Sequence, residues 1–221
     1  MERPQIVLFD LNGTLTDPSV IGRPWGEPGL GLRVLEGAVR GGMTDALTGS
    51  SRPFSDHVAA ALAVETARQG LDQAHIDDAL QAASALPAWP DAREALERLD
   101  GAGLRLAVLT NSGADAGRST LEQAGLLDLF ELVVGVDEVE TFKPDERTYA
   151  HAVSELGVRA GEVLLVAAHG WDVTGAGAAG LRTAWIARGE VVLAPTVPEP
   201  DLQVADLAAL ADAVLALADG R

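Results

Sequence analysis

Short apolar runs that alternate with helical patterns constrain the fold of this chain more than any other feature of its sequence. Each run is continuously hydrophobic, as expected of strands in a parallel sheet that is buried on both faces. The runs cover residues 6–11, 104–110, 132–136, 163–168 and 183–187, and helical patterns lie between them at 91–99, 114–124, 145–156 and 173–179. Because parallel strands are joined by crossover helices, this alternation predicts an α/β fold with a doubly wound, Rossmann-like parallel sheet.

The segment between residues 15 and 90 interrupts the alternation. It contains a loop rich in Pro and Gly, followed only by helical patterns. A helical segment of this length after the first strand predicts an inserted cap domain. We therefore expect a core domain formed by residues 1–14 and 91–221 and a helical cap domain formed by residues 15–90.

Composition argues against several kinds of function. The 221 residues include 33 Asp and Glu against 16 Lys and Arg, which gives a formal net charge of −17. A nucleic-acid partner is not expected, because neutralising phosphates requires a basic surface. The chain has no cysteine, which excludes disulfides and thiolate sites. It shows neither a signal-peptide layout nor an apolar run of membrane-spanning length, so we expect a cytoplasmic protein without a membrane partner.

Reactive polar residues follow four of the predicted strands. The carboxyl ends of parallel strands meet at one edge of a sheet, where ligands bind. A carboxylate at that edge can act as a nucleophile, and a nearby lysine can hold it ionised. The residues at the four strand ends are Asp10, Asn12 and Thr14; Thr110 and Asn111; Lys143; and His169, Trp171 and Asp172. We predict that they form one site.

Four motifs in this set resemble those of the haloacid dehalogenase superfamily. They are Asp-x-Asn-Gly-Thr from Asp10, Leu-Thr-Asn-Ser from Leu109, the pair Lys143-Pro144, and the loop that carries Trp171-Asp172. They stand in the superfamily's order, and the helical insert stands in the position of its cap. The resemblance covers nearly the whole chain and implies a hydrolase in which Asp10 forms a covalent intermediate.

Two positions distinguish this chain from the magnesium-dependent phosphatases of that superfamily. Asn12 stands where the phosphatase pattern has a second Asp, and an amide cannot protonate a leaving group. Ala168 stands where that pattern has an acidic metal ligand, so we predict no metal and no other cofactor. The (S)-2-haloacid dehalogenases lack both groups, and Lys143-Pro144-Asp145 followed by Tyr149 is similar to their pattern.

The resemblance to these dehalogenases implies roles for the candidate residues. Asp10 would displace halide from a small anionic 2-haloacid, and water would then cleave the ester. The other implied catalytic residues are Thr14, Lys143, Asp172 and His169, and the implied substrate-binding residues are Asn12, Thr110, Asn111, Tyr149, Trp171, Phe54 and Arg40. His169 stands where dehalogenases commonly have Asn, and it either binds the substrate carboxylate or activates the water.

The halide-binding residue is the least defined part of the predicted site. An alignment anchored on Arg52-Pro53-Phe54 puts Leu35 where dehalogenases carry a cap arginine. We expect Arg40 to take that role rather than Arg33, because Arg40 precedes two glycines and could face the cleft. The alternative is that both are solvated surface cations.

Two other functions stay open at this stage. One is a phosphatase that acts on a small phosphate ester, and the other is a catalytically weak member that binds a small acid. The resemblance is also compatible with a homodimer formed through cap helices. The sequence does not determine the chain length of the substrate or the halogen.

Overall fold

A computed structural model describes residues 2–217, and within them six parallel strands form one sheet. The sheet order is β3-β2-β1-β4-β5-β6, which places β1 near the middle, where Ile6 pairs with both Arg105 and Val163. The strands are β1 (Ile6–Phe9), β2 (Arg105–Thr110), β3 (Leu132–Gly135), β4 (Val163–Ala167), β5 (Arg182–Ile186) and β6 (Leu202–Val204). The predicted parallel α/β sheet is confirmed.

Helices cover both faces of this sheet. In chain order the helices are α1 (Gly29–Thr48), α2 (Phe54–Gln69), α3 (Ile76–Ala83), α4 (Ala92–Gly101), α5 (Ala114–Gln123), α6 (Glu146–Leu156), α7 (Gly170–Ala178) and α8 (Leu207–Leu215). Alternate residues of β1 point to opposite faces, because side chains alternate along a strand. Val7 and Phe9 belong to one apolar cluster, and Ile6 and Leu8 belong to another. The sheet is therefore doubly wound.

The first three helices build a third apolar cluster after β1. Leu30 of α1, Phe54 and Leu62 of α2, and Ala79 of α3 are buried in it. Its two connections to the sheet run side by side, since Asp17 N–H donates to Pro87 O at 2.8 Å. The helical insert lies after the first strand, as expected, and its limits at residues 15 and 90 stay a prediction.

The C-terminal strand and helix were not predicted from the sequence. β6 is a three-residue edge strand with an exposed Gln203 at its centre, so it lacks the continuous hydrophobicity of the inner strands. Asp91, which precedes α4, links α4 to the C-terminal segment. Its carboxylate accepts hydrogen bonds from Leu207 N–H at 2.9 Å and from Arg188 Nη2 at 2.7 Å. Among the helices of residues 2–217, none is long and apolar enough to cross a membrane.

Candidate active site

Asp10 lies directly after β1, at the carboxyl edge of the sheet. Its backbone N–H donates to Val166 O at 3.0 Å, which continues the pairing of β1 with β4 and fixes the position of the side chain. Oδ1 accepts from Lys143 Nζ at 2.8 Å, and Oδ2 accepts from Thr14 Oγ1 at 2.7 Å. The residue is only 5 % exposed. Both oxygens of the carboxylate are therefore oriented before any substrate binds.

Lys143 is fully buried, and its ammonium group donates to three acceptors. These are Asp10 Oδ1, Asp172 Oδ2 at 2.7 Å and Leu109 O at 3.0 Å. An ammonium group has three N–H donors, so all of them are satisfied. Burial lowers the pKa of Lys143, but the charges of Asp10 and Asp172 raise it by more, and the net pKa lies above its ordinary value. Lys143 therefore remains charged in the interior.

The two carboxylates beside Lys143 have pKa values shifted in opposite directions. Burial raises the pKa of Asp10, but the charge of Lys143, the charge of His169 when its ring is protonated, and hydrogen bonds from Lys143 and Thr14 outweigh burial and bring it below 3.8. Burial is also the main cause at Asp172, where the Asp10 charge adds to it, and the net pKa lies above 3.8 despite Lys143. Asp10 thus ionises more readily than Asp172, as a nucleophile at this site requires.

Tyr149 supports Asp172 from behind. Its hydroxyl donates to Asp172 Oδ1 at 2.6 Å, and the side chain is fully buried. Burial, followed by the charge of Asp172, raises the pKa of Tyr149 well above 10, so the hydroxyl keeps its proton. This placement corrects the substrate-binding role expected for Tyr149, because its hydroxyl faces Asp172 and the residue does not line the cleft. Because Lys143 Nζ donates to Oδ2, both oxygens of Asp172 already accept a hydrogen bond.

Thr14 joins the loop after β1 to the end of β4. Its hydroxyl donates to Asp10 and accepts from Ala168 N–H at 2.9 Å. Gly13, one residue earlier, has a φ of +89°, and a Cβ there would meet the His169 ring at 3.1 Å. A glycine is therefore needed both for the turn and for the approach of the imidazole.

His169 lies beside Asp10 and stacks on Trp171. The two ring planes are 11° apart, with centroids separated by 5.4 Å. Nε2 of His169 is 3.0 Å from Asn12 O and 3.6 Å from Asp10 Oδ2. Because a carbonyl oxygen only accepts, the bond to Asn12 places a hydrogen on Nε2. The neutral ring then has its lone pair on Nδ1.

Thr110 and Asn111 lie at the end of β2 and line the small pocket beside Asp10. Thr110 Oγ1 accepts from Ser112 N–H at 3.2 Å, and Asn111 Oδ1 accepts from Lys143 N–H at 2.8 Å. The Asn111 bond ties the β2 end to the Lys143 loop. At the neighbouring start of α5, Ala114 N–H donates to Asp137 Oδ1 at 3.0 Å. A carboxylate of the protein thus occupies part of this helix terminus.

The cap closes over Asp10 with apolar side chains. A cavity of about 30 Å³ adjoins Asp10, and Phe54 and Trp171 both line it, as expected. Helix α1 contributes Leu32, Leu35, Glu36 and Val39 to the same wall. The nucleophile therefore faces a small pocket whose cap side is mostly aliphatic and aromatic.

The family model for haloacid dehalogenase-like hydrolases matches residues 4–180. The chain belongs to this family. The match includes Asp10, Lys143 and Asp172, so the site described above lies within it.

This haloacid dehalogenase-like hydrolase has curated relatives that include dehalogenases and a phosphatase. It is 34 % identical over 127 residues to the (S)-2-haloacid dehalogenase of Pseudomonas sp. (strain YL), covering 58 % of this chain and 55 % of the relative. It is 41 % identical over 124 residues to the phosphoserine phosphatase of Thermus thermophilus, covering 55 % of this chain and 49 % of the relative. The chain thus spans about half the length of these two relatives.

A solved structure matches this hydrolase over almost its whole length. The L-2-haloacid dehalogenase of Xanthobacter autotrophicus, with chloropropionic acid covalently bound, has a TM-score of 0.84 at 28 % identity. The similarity covers 97 % of this chain and 100 % of that one. The cap and the core of this hydrolase are therefore both similar to those of a dehalogenase.

Arg40 does not reach the site of this hydrolase, which corrects the expectation that it faces the cleft. It lines a separate cavity with Gly37, Gly41 and His57. The cause is the helical period: residues 32, 35, 36 and 39 form one face of α1, and Arg40 lies on the next face. Arg33 does not line the cleft either, because it pairs with Glu65 and Gln69 of α2.

Sequence reasoning missed Leu32, Glu36 and Val39 as lining residues of this hydrolase. Together with Leu35 they recur at intervals of three, four and seven residues, which is the spacing of one helix face. That spacing signals a common face, but it does not say whether the face packs on the cap or covers the site. The structure assigns it to the site.

Proposed function

We propose that this family member is a metal-independent (S)-2-haloacid dehalogenase. The observation that carries the proposal is the geometry at Asp10, an oriented carboxylate with a lowered pKa that faces a small pocket whose cap side is mostly aliphatic and aromatic. A carboxylate that is poorly solvated and held by fixed donors is a competent nucleophile toward carbon. Halide leaves as an anion, so this reaction does not require a general acid.

The first step forms an ester on Asp10. A carboxylate oxygen of Asp10 attacks C2 of the haloacid from the side opposite the halogen, and the carbon–halogen bond breaks with its electron pair leaving on the halide. Thr110, Asn111 and the loop at Asn12 border the pocket and are proposed to hold the substrate carboxylate. Phe54 and Trp171 exclude water from the reacting carbon.

The second step regenerates Asp10. Water loses a proton as it attacks the carboxyl carbon of the ester, the bond from that carbon to the ester oxygen breaks, and this oxygen takes up a proton and leaves as the hydroxyl of the 2-hydroxyacid. The second proton of the water passes to solvent as Asp10 returns to a carboxylate. We assign the proton lost by the water to His169, because Nε2–H bonds to Asn12 O and leaves Nδ1 as the basic nitrogen. Lys143 compensates the charge that develops on the Asp10 oxygens.

Tyr149 and Asp172 act through Lys143 in this proposal. Asp172 keeps the ammonium group aimed at Asp10, and Tyr149 fixes the carboxylate of Asp172. Both are positioning residues, since neither contacts the space that the substrate occupies.

A phosphatase is the second candidate, favoured by the alignment with a phosphoserine phosphatase. The residues at the site fit a magnesium ion poorly. Position 12 offers an amide and position 168 a methyl group, while both oxygens of Asp172 are already bonded. Mg²⁺ is normally held by free carboxylates together with substrate phosphate oxygens. We therefore derive no step through a metal.

The dehalogenase proposal is tested by measuring halide release from (S)-2-bromopropionate with and without EDTA. We expect release that is insensitive to EDTA, and we expect Asp10→Asn to reduce kcat by about 10³-fold or more, because an amide is a poor nucleophile. Asp78→Asn, which changes an exposed carboxylate of α3, is the matched control. Phosphate release from phosphoserine that requires Mg²⁺, with no halide release, would establish the second candidate instead.

The cellular location and the assembly state remain predictions. A cytoplasmic location is expected from the sequence, and the resemblance to dehalogenases is compatible with a homodimer, which analytical ultracentrifugation tests directly.

A further inference from the structure

A second, much larger cleft adjoins the pocket at Asp10. The pocket measures about 30 Å³, whereas the cleft measures about 840 Å³. Asn12, Leu35, Phe54 and Asn111 line both spaces, so the two are adjacent at these residues. The small pocket accommodates only the reacting end of a substrate. Any substituent on the reacting carbon must therefore extend into the cleft.

The walls of the cleft come from both the cap and the core. Val58 of α2 and Leu80 of α3 form the cap side, and Val136 and Phe142 belong to the loop after β3. Phe54 and Phe142 contact each other with ring centroids 6.4 Å apart at the junction of the two sides. Apolar groups from both sides would surround a chain or ring that lies between them, and burying such a group is favourable.

The charges at the cleft oppose an anionic substituent. Asp56, Asp137 and Glu140 line the cleft, against Arg52 as the cation among the lining residues that the structure describes. The Arg52 guanidinium is already paired, because it donates from Nε to Asp45 Oδ2 at 2.9 Å and from Nη2 to Oδ1. The rim therefore carries excess negative charge. A second carboxylate on the substrate would be repelled there.

We propose that the cleft selects 2-haloacids whose C2 substituent is a long alkyl chain or an aryl ring without a negative charge. This inference rests on the proposed dehalogenase activity and names its substrate class. The carboxylate and the halogen-bearing carbon occupy the pocket at Asp10, and the substituent lies between α2 and the loop after β3. The substrate class is thus set by the cleft and not by the catalytic residues.

The test compares kcat/KM for (S)-2-bromopropionate, (S)-2-bromohexanoate and (S)-2-bromoadipate, which share one leaving group. Each buried methylene favours binding by about fourfold, so we expect 2-bromohexanoate, with three more methylenes, to exceed 2-bromopropionate by up to about 60-fold. The adipate has the same chain length as the hexanoate but ends in a carboxylate, and we expect it to lose most of this advantage.

A matched pair of variants locates the effect. Ala59 of α2 lines the cleft, while Ala60 lines the cavity on the other side of the helix. Ala59→Phe is expected to bring the hexanoate-to-propionate ratio close to one, and Ala60→Phe is expected to retain the wild-type ratio. Because each ratio is taken within one variant, a general loss of activity cancels. If Ala59→Phe fails to fold, Ala59→Leu is expected to give an intermediate ratio.

Two outcomes would overturn the inference in different ways. Release of bromide from 2-bromopropionate at a rate equal to or above that from 2-bromohexanoate would reject the substrate class and leave the dehalogenase proposal standing. A ratio unaffected by Ala59→Phe would reject the location. Absence of halide release from all three acids would reject the proposed function itself.

Discussion

Asp10 and Asp172 share one buried ammonium group, and this sharing explains why their pKa values diverge. Two carboxylates and one lysine carry one excess negative charge when both acids are ionised. Asp10 receives an additional hydrogen bond from Thr14 and lies near His169, whereas Asp172 has Lys143 and the neutral Tyr149 hydroxyl. Burial therefore produces a net rise in pKa at Asp172 and not at Asp10. The residue that must attack stays the more acidic of the two.

Thr14 is expected to influence the pH dependence of the reaction. Asp10 must be ionised to attack, and its pKa is lowered from the ordinary value of an aspartate, so the acid limb of kcat/KM is expected at a lower pH than an ordinary aspartate would give. Thr14→Val removes a hydrogen bond that lowers this pKa and is expected to move the acid limb to higher pH. The measurement is kcat/KM for halide release between pH 3 and 7.

Thr16→Val is the control for this prediction. It also removes a buried hydroxyl, but that hydroxyl donates to Leu11 O at 3.2 Å and makes no contact with Asp10. An acid limb that moves equally in both variants would mean that the shift reports stability and not ionisation of Asp10.

At the scale of elements, the close approach of α7 to the Lys143 loop holds the catalytic groups together. Gly175 lies on the face of α7 that meets this loop, and a Cβ there would be 2.5 Å from Pro144 Cβ and 2.6 Å from the Tyr149 hydroxyl. Only a residue without a side chain fits at this contact. The approach places Asp172, three residues earlier on α7, within reach of Lys143 Nζ.

Gly175→Ala is expected to disturb both stability and catalysis. The added methyl group must displace Tyr149 or the loop, and overpacking of this kind costs about 1–3 kcal/mol. We expect a lower midpoint in urea unfolding together with a lower kcat. Gly177→Ala is the matched control, since its Cβ would meet only Thr183 Cγ2 at 3.9 Å. That variant is expected to be neutral or more stable by up to about 1 kcal/mol, because alanine favours a helix over glycine. Equal unfolding midpoints for the two variants would contradict the argument.

Helix α1 shows how one element can carry two surfaces. Leu32, Leu35 and Val39 face Asp10, while Gly37 and Arg40 face a different cavity. Adjacent positions on a helix differ by about 100°, so residues 39 and 40 point to different surroundings. This rotation removes Arg40 from the reaction and leaves a wall of aliphatic residues with Glu36 on the cap side.

For the whole molecule, the charge of −17 is the dominant electrostatic property. Ion pairs such as Arg98–Asp212 and Arg105–Glu131 neutralise some of the carboxylates, but acidic groups remain in excess. Self-repulsion of this kind destabilises a compact state and is screened by salt. The acidic rim of the cleft is part of the same excess.

We expect the melting temperature to rise when KCl is increased from 0.01 to 0.1 M. The screening length falls from about 30 Å to about 10 Å over this range, which weakens repulsion between distant carboxylates. Each kcal/mol of relieved repulsion corresponds to about 2–4 °C for a chain of this size. Differential scanning fluorimetry at fixed pH measures the shift. A melting temperature that falls with KCl would mean that local ion pairs outweigh the net repulsion.

The sequence by itself determined five of the six strands and the polar residues that bond to Asp10. Buried parallel strands have continuous hydrophobicity, and the polar residues that follow them must meet at one edge. For this reason Thr14, Lys143 and Asp172 could be grouped without coordinates, although they are far apart in the chain.

Only the tertiary structure decided which way side chains point and what surrounds them. The rotation of α1 separated Arg40 from Leu35, and the approach of α7 placed the Tyr149 hydroxyl behind Asp172. The edge strand β6 pairs with β5 across a separation of 18 residues, and the anchoring of α8 at Asp91 depends on a contact between residues 116 positions apart in the chain. The cleft beside Asp10 exists only where α2 and α3 meet the loop after β3. The helical period indicates which residues of α1 share a face, but the surroundings of that face and the other features arise from the packing of elements against one another.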